Sequence, residues 1–390
     1  MEYKRAWAEI NLSALKHNIN IIKNMLPSNV SLLAAVKADA YGHGSIEISQ
    51  TMQKNGIEYL GVALCEEGIE LRKANIDLPI LIMSYTPEPM LKFALKHGLI
   101  LTVFSADSAF TLAKIADSLN IQAQVHIKID TGMGRLGFLP NTESAKNIVD
   151  IFNNKSLDVR GIYTHFATSD SLSSGFMYEQ HTKYKYILSL LKEQGITTTG
   201  LCCHMGNSGL LSQTIREGFV PPPNGGFFLD MVRVGIMLYG LPPSSEMRDI
   251  CKSLNLSPIM KLKTRISMTK ILPHGSGVSY GHLFRTQRET MIATLPIGYA
   301  DGYPRTLSNK GHVLINGHLA PIVGAICMDQ CMVDVTDIPD NKNLKPGDTV
   351  TMFGEPGITA DDLADMIGTI SYEILCGVGK RVPRVYIAIP

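Results

Sequence analysis

The chain has 390 residues, which is too long for one core of ordinary size and predicts two domains, or one large barrel with an appended module. Charged residues make up 18% of it and the net charge is +1, so the composition excludes an electrostatic surface for nucleic acid or anionic membranes. The N-terminus has no apolar leader and no stretch reaches membrane-spanning length, so we expect a cytoplasmic protein with a small-molecule ligand and no membrane contact.

From residue 10 to about 240, short apolar runs alternate with longer amphipathic segments, which is typical of βα units around a parallel sheet. Eight runs are predicted to be strands: 32–36, 59–64, 80–84, 100–104, 123–129, 159–165, 200–204 and 229–234. Eight units that close on themselves form a (β/α)8 TIM-like barrel.

The sequence LPPSS at 241–245 ends this pattern, and shorter runs divided by glycine and proline turns follow. They predict a mainly β C-terminal domain with antiparallel strands and one clear helix after Thr359, which Asp362 helps to cap. The predicted domains are therefore residues 1–240 and 241–390, and the first ten or so residues are candidates to pair with the second domain.

The seven cysteines are odd in number and have no framework spacing, which favours a reducing compartment over a disulfide scaffold. Cys327 and Cys331 lack a second pair of ligands nearby, so we expect no metal site.

Polar residues collect at the carboxyl ends of the predicted barrel strands, where barrel enzymes build their active sites. In chain order they are Lys37 with Tyr41 on the next loop, Lys128 and Arg135, His165, then His204, Asn207 and Ser208, and finally Arg233 followed by Gly235 and Ile236. Singly, each has an ordinary explanation, such as a solvated lysine, a packing histidine or a turn. Together, a lysine that could form an imine, arginines and Ser/Gly-rich loops suggest pyridoxal 5'-phosphate.

The motifs AVKADAYGHG, DTGMGRLGF, THFA, MVRVGIMLYG, GVSYG, PIGYADGYPR, ICMDQ, TISYE and RVPRVY are arranged as in bacterial alanine racemases, which are fold-type III pyridoxal-phosphate enzymes. The chain resembles that family over nearly its whole length.

The resemblance implies that Lys37 holds the cofactor covalently, that Arg233 faces the pyridine nitrogen and that His165 lies against the ring. Phosphate binding is implied for Tyr41, Ser208, Gly235, Ile236 and Tyr372. Arg135 would contact the phenolic oxygen of the cofactor and the substrate carboxylate. Relatives often carry a carbamylated lysine at the position of Lys128.

The resemblance also implies a two-base mechanism in which Lys37 and Tyr280 flank a planar intermediate. Tyr280 would come from the partner subunit, so we expect a homodimer with composite active sites. His165 and Arg233 are the candidate sources of the positive charge that would favour the phenolate of Tyr280.

The resemblance also implies that Met328 and Tyr299 reach the site across the subunit interface. Met328 would contact the substrate, and Tyr299 with Tyr372 would form a narrow entry that admits only small side chains. Supporting roles are implied for His204, Asn207, Arg305, Cys327 and Asp329.

The main hypothesis is interconversion of L-alanine and D-alanine for peptidoglycan. A serine or dual alanine/serine racemase of the same fold is the alternative, although Tyr372 beside the substrate favours alanine. A non-catalytic pyridoxal-phosphate protein would lack the second domain, and Arg233 opposes a decarboxylase. The chain departs from the family pattern at HMGNSGLL in the seventh strand. Two other departures, the PPPNGGFF loop and Ala325 before ICMDQ, are likewise expected to affect local geometry.

Overall fold

The computed structural model describes residues 4–215, 226–227 and 229–388. Strand β1 (Ala6–Asn11) is followed directly by helix α1 (Leu12–Met25). Asn11 caps this helix, because its side chain accepts a hydrogen bond from the Ala14 N–H at 3.0 Å.

Eight parallel strands then close into a barrel, as predicted. They are β2 (Ser31–Ala35), β3 (Tyr59–Val62), β4 (Ile80–Ile82), β5 (Ile100–Val103), β6 (Ala123–Lys128), β7 (Leu157–Tyr163), β8 (Cys202–Asn207) and β9 (Met231–Val234). β2 pairs with both β3 and β9, which closes the ring. The seventh barrel strand, β8, was predicted at 200–204 and instead begins at Cys202 and ends at Asn207.

Helices follow most of the strands and cover the barrel. They are α2 (Lys37–Gly42), α3 (Ser45–Lys54), α4 (Cys65–Lys73), α5 (Glu88–Lys96), α6 (Ala106–Ser118), α7 (Thr142–Phe152), α8 (Phe176–Glu193) and α9 (Ser208–Gln213). A 3-10 helix (Ile236–Tyr239) follows β9.

Beyond the barrel the chain is mainly β, with short helices. Its elements are α10 (Arg248–Ser253), β10 (Met260–Arg265), β11 (Met268–Leu272), β12 (Gly277–Val278), β13 (Phe284–Arg285), β14 (Thr290–Leu295), β15 (His312–Ile315), β16 (His318–Pro321), β17 (Cys331–Asp334), β18 (Thr349–Phe353), α11 (Ala360–Ile367), α12 (Ser371–Gly377) and β19 (Arg384–Ile387). One sheet has the order β16-β15-β18-β10-β1-β19, so the N-terminal strand pairs with strands of the second domain. β11-β14-β17 and β12-β13 form two smaller sheets.

The prediction of one clear helix in this region was wrong. The Thr359 cap is present, since its hydroxyl accepts from the Asp362 N–H and Asp362 accepts from the Thr359 N–H. However, α12 follows α11 after a short gap, and α10 precedes β10. The TISYE segment is rich in β-branched and aromatic residues, so its local propensity does not favour the helix that packing imposes.

Candidate active site

One cavity of about 370 Å³ opens at the carboxyl ends of the barrel strands. The predicted residues that line it are Lys37, Tyr41, Lys128, Arg135, His165, Asn207, Ser208, Arg233, Gly235, Ile236 and Tyr372. The barrel therefore brings most of the sequence-predicted residues to one place.

Lys37 is the first residue of α2, and the backbone after it is unusual. Ala38, Asp39, Ala40 and Tyr41 all adopt left-handed conformations with φ between 53° and 55°. For non-glycine residues this conformation costs roughly 1–2 kcal/mol each. Such strain is typical of functional sites, and here it shapes the turn that joins Lys37 to Tyr41.

Glu67 on α4 holds this turn from outside, and the sequence did not single it out. Its Oε1 accepts from the Ala38 N–H at 2.6 Å, while its Oε2 accepts from the Ala63 and Leu64 N–H groups at 2.8 and 3.0 Å. Its only sequence signal is an acidic residue at the third position of a helix.

The surroundings of Lys37 favour its neutral amine. Burial lowers the pKa of Lys37 and the Arg135 guanidinium lowers it further, whereas Cys376 and Glu67 act in the opposite direction. The neutral amine is the form that attacks a carbonyl group.

Hydroxyl groups cluster around Gly235. The Gly235 N–H donates to Ser208 Oγ at 3.0 Å, and a Cβ at Gly235 would lie only 2.5 Å from Tyr41 Oη, so glycine is needed there. The Tyr41 and Tyr372 rings are 5.9 Å apart, and within the described part of the chain neither hydroxyl has a hydrogen-bond partner. Burial raises the pKa of both tyrosines, so they remain protonated donors that can bind an anion such as phosphate.

Arg233 is buried, and its hydrogen-bond partners among the described residues are all neutral. Its guanidinium donates to the Thr164 carbonyl at 2.8 Å and to the Met205 carbonyl at 3.1 Å. Its two terminal nitrogens also lie 2.7 Å from His204 Nδ1 and 3.1 Å from His165 Nδ1. Burial lowers the pKa of Arg233 to about 10, which still leaves it charged at neutral pH.

His165 is not a source of positive charge in this arrangement. Burial lowers its pKa well below the ordinary value, and Arg233, Lys128, Arg135 and Lys37 lower it further. Its imidazole is therefore neutral. Of the two residues expected to supply positive charge beside Tyr280, only Arg233 is a cation.

Tyr163 is a functional neighbour that sequence reasoning missed. Its ring stacks on that of His204 at 4.7 Å with an interplanar angle of 1°, and Lys128 Nζ lies 4.4 Å from its centroid. Burial lowers the pKa of Lys128 well below its ordinary value, and Arg233 and Arg135 add to this effect. Burial and these two cations therefore favour the neutral amine of Lys128. Tyr163 ends β7 two positions before His165, and this spacing was its available signal.

Asp130 organises the loop that carries Arg135. Its carboxylate accepts from the N–H groups of Gly132, Gly134 and Arg135 at 2.9 to 3.0 Å. Burial alone would raise the pKa of Asp130, but these hydrogen bonds lower it overall, so the carboxylate stays ionised.

The other predicted base lies elsewhere in the chain. Tyr280 lines a separate cavity of about 730 Å³ on the second domain, together with Cys327, Met328 and Asp329. Its side chain is 72% exposed. The structure of one chain therefore does not place Tyr280 in the cavity of Lys37.

The loop of Tyr299 packs beside this second cavity. The Tyr299 N–H donates to the Cys327 carbonyl at 3.1 Å and the Ala300 N–H donates to the Met328 carbonyl at 3.0 Å. Arg305 lies in a neighbouring 3-10 helix, is exposed, and lines neither cavity.

The departures at Ala325 and in the PPPNGGFF loop have different outcomes. Ala325 is buried, and its carbonyl accepts from Ser279 Oγ at 2.6 Å, next to Tyr280. Of the PPPNGGFF loop, residues 221–225 and 228 lie outside the described residues.

Within residues 4–215, 226–227 and 229–388, no cluster of three or more His, Cys, Asp or Glu side chains could hold a metal ion. In the same ranges, no helix has both the length and the apolar character needed to cross a bilayer.

Comparison with known proteins identifies the family. The family model for the alanine racemase N-terminal domain matches residues 10–243, and the model for the alanine racemase C-terminal domain matches residues 259–386. The chain belongs to the alanine racemase family. The predicted family is confirmed, and this protein is an enzyme of that type, an isomerase.

Individual alanine racemases are similar over almost their full length. The chain is 44% identical to that of Clostridium novyi (strain NT), covering 98% of this chain and 95% of the relative. The solved alanine racemase of Clostridium difficile 630 has a TM-score of 0.90 at 41% identity, with 100% of this chain and 97% of that chain covered. An alanine racemase from Bartonella henselae, described with covalently bound pyridoxal phosphate, has a TM-score of 0.84 at 29% identity and coverage of 99% and 100%. The predicted fold class is confirmed.

The alanine racemase family depends on pyridoxal phosphate, and the residues of the Lys37 cavity fit this group. The cavity offers a lysine with a lowered pKa, a buried arginine without an acidic partner among the described residues, and two tyrosine hydroxyls free to donate. The neutral amine can attack the aldehyde of the cofactor. The guanidinium can donate to its pyridine nitrogen, and the hydroxyls can donate to its phosphate.

Proposed function

We propose that this enzyme interconverts L-alanine and D-alanine, with pyridoxal 5'-phosphate held at Lys37. The observation that carries the proposal is the convergence of Lys37, Arg233 and the hydroxyl cluster on one cavity of about 370 Å³. Pyridoxal phosphate, when bound, delocalises negative charge from the substrate Cα and so makes that carbon acidic.

Different residues of this chain would bind different parts of the cofactor. Ser208, Tyr41, Tyr372 and the backbone of Gly235 and Ile236 would hold the phosphate. Asn207 supports Ser208, because its Oδ1 accepts from the Leu210 N–H and caps α9. Arg233 would lie at the pyridine nitrogen with His165 against the ring, and Arg135 would contact the phenolic oxygen and the substrate carboxylate.

Racemisation needs a base on each side of the substrate Cα. Lys37 Nζ would hold or release the proton on one side, and Tyr280 Oη of the partner subunit on the other. The position of Tyr280 supports this role: its phenol is exposed in a concave surface with Met328, which would contact substrate, and Asp329, rather than packed in a core. The proposed enzyme is therefore a homodimer with two composite sites.

Substrate size would be limited by tyrosines from both subunits. Tyr372 lines the Lys37 cavity, and Tyr299 is 42% exposed on the second domain, available to a partner. Two rings at the opening leave room for a methyl side chain, which favours alanine over serine. Cys327, which lines the cavity of Tyr280, and Arg305 would have supporting roles only.

The cellular role follows from the product. We propose that D-alanine from this reaction supplies peptidoglycan synthesis in the cytoplasm; all seven cysteines are described and are free thiols, which suits a reducing compartment. We place the domain division at residues 1–240 and 241–390, with β1 contributing to the second sheet.

Subunit complementation tests the proposal. The Lys37→Ala and Tyr280→Phe proteins should each form homodimers but racemise L-alanine poorly. Lys37→Ala should also lose the absorption band of the covalently held cofactor. When equal amounts of the two variants are dissociated and reassociated, about half of the dimers are mixed and each has one intact site, so roughly a quarter of the parent activity should return. Mixed dimers without activity would contradict the composite site, and faster turnover of L-serine than of L-alanine would contradict the substrate.

A further inference from the structure

A buried carboxylate lies behind the surface that carries Tyr299 and Met328. Asp301 ends the 3-10 helix Tyr299–Asp301, and its side chain is 0% exposed. A carboxylate removed from water needs hydrogen bonds and opposite charge to remain ionised at low cost.

Two arginines and a backbone amide meet that need. Arg5 donates to both carboxylate oxygens of Asp301, at 2.5 and 3.0 Å, and also to the Pro296 carbonyl at 2.5 Å. The Gly298 N–H donates to Asp301 Oδ2 at 3.1 Å, and Arg381 Nε lies 3.6 Å from Oδ1. Paired bonds of this kind fix orientation as well as charge.

Arg381 extends the network to the loop of Met328. Its terminal nitrogen donates to Asp329 Oδ1 at 2.7 Å. One guanidinium therefore contacts both the Asp301 and the Asp329 carboxylates. The same two loops are joined by the backbone bonds from Tyr299 and Ala300 described above.

The packing leaves this segment little freedom. A Cβ at Gly298 would lie 2.2 Å from the Cys327 carbonyl oxygen, and one at Gly302 would lie 1.8 Å from the Gly377 carbonyl oxygen. The Gly379 N–H donates to the Asp301 carbonyl at 2.9 Å, which fixes the segment at its other end.

We propose that Asp301 is a positioning residue, which acts through Arg381 and Gly298 to fix Tyr299 and Met328 on the surface offered to the partner's site. This inference rests on the proposed function. Asp301 is buried and lines neither cavity, so its effect is on the position of the Tyr299 and Met328 side chains.

The test uses Arg381→Gln in the purified dimeric holoenzyme, with Arg288→Gln as the matched control. Arg288 forms an exposed ion pair with Asp337 in the same domain, away from both cavities. Asp301→Asn is a second variant, which keeps the size of the side chain and removes its charge.

Two measurements decide the proposal. Hydrogen exchange at residues 298–302 and 327–329 should become roughly tenfold faster in Arg381→Gln, because the opening of these loops is no longer opposed by the ion pairs. The KM for L-alanine should rise roughly tenfold with kcat within about twofold, and the relative rate on L-serine should increase. The Arg288→Gln control should change neither.

Unchanged exchange in both Arg381→Gln and Asp301→Asn would overturn the proposal, as would faster exchange without any change in KM. Loss of thermal stability with unaltered KM indicates a structural role and also counts against it. A parent protein that racemises no amino acid refutes the proposed function instead, and the exchange data then decide alone whether Asp301 fixes the two loops.

Discussion

Arg233 and His204 are in direct contact, with a guanidinium nitrogen 2.7 Å from His204 Nδ1. Because an arginine can only donate, this Nδ1 accepts and the proton of neutral His204 lies on Nε2. That nitrogen is 2.8 Å from His126 Nδ1, so His126 accepts in turn and is protonated on its own Nε2. The charge of Arg233 therefore sets the tautomers of two buried histidines.

We expect nitrogen NMR of the two rings to show neutral, Nε2-protonated imidazoles. Burial lowers the pKa of His126 to about 3, and Arg233 contributes to this; burial also lowers the pKa of His204 well below its usual range. Both signals should therefore be unchanged between pH 8 and pH 5, and His126→Gln and His204→Gln would assign them. A protonated Nδ1 on His204 would contradict the assignment.

The same histidines should make the fold sensitive to acid. Their folded-state pKa values lie below the unfolded value of about 6.5, so the unfolded chain binds more protons as the pH falls. Stability is complete above that value and decreases towards pH 3, by up to about 1.4 kcal/mol per pH unit for each such histidine. Urea unfolding at pH 7 and pH 5 should show a smaller difference for His126→Gln than for the parent, while a surface change, His318→Gln, should leave the difference intact.

The barrel could be predicted because parallel strands are buried on both faces and appear as continuous apolar runs. Lys37, His165 and Arg233 could be found because they end such runs. Tyr163 had only its spacing from His165 as a signal and His126 had none, since their roles depend on which strand faces meet inside the closed barrel. Glu67 accepts from the Ala38 N–H, which only folding brings near it, and no local pattern announces this contact.

The left-handed turn after Lys37 was also beyond the sequence, because Asp39 is the only residue type before Gly42 in KADAYG that tolerates positive φ, whereas four consecutive residues adopt it. This gives a stability prediction for Ala38→Gly, an exposed position with φ 53° and ψ 51°. Glycine removes a penalty of roughly 1–2 kcal/mol and adds about 1 kcal/mol of unfolded-state entropy. The urea midpoint should stay unchanged or rise slightly. Ala113→Gly, inside α6, should lower the free energy of unfolding by at least about 1 kcal/mol, and the urea midpoint with it. Equal destabilisation by both changes would argue against a left-handed Ala38.

Lys128 is expected to react with carbon dioxide. Burial, Arg233 and Arg135 lower its pKa well below the ordinary value, which favours the reactive neutral amine, and the two arginines would stabilise a carbamate anion. The amine nitrogen bonds to the carbon of CO2 and releases one proton. Carbon-13 NMR of protein grown with labelled bicarbonate should show a carbamate signal that Lys128→Met abolishes. A signal that persists in the variant, or none in the parent, would refute this modification.

Ser279 should control the position of Tyr280 at little cost in stability. Its backbone has φ 63°, and its hydroxyl donates to the Ala325 carbonyl at 2.6 Å, which holds the strained residue against the loop before Met328. Ser279→Ala removes that bond, and a single partly buried hydrogen bond contributes only about 1 kcal/mol to folding.

The effect on catalysis should be larger than the effect on folding, because a misplaced base slows proton transfer by up to about a hundredfold. We therefore expect kcat for L-alanine to fall by roughly tenfold or more while the melting temperature changes by only a few degrees. Ser276→Ala, which loses a hydroxyl bond to the Pro273 carbonyl in the same domain, is the matched control and should leave kcat unchanged. If Ser279→Ala and Ser276→Ala have the same kcat, the hydroxyl of Ser279 does not place Tyr280.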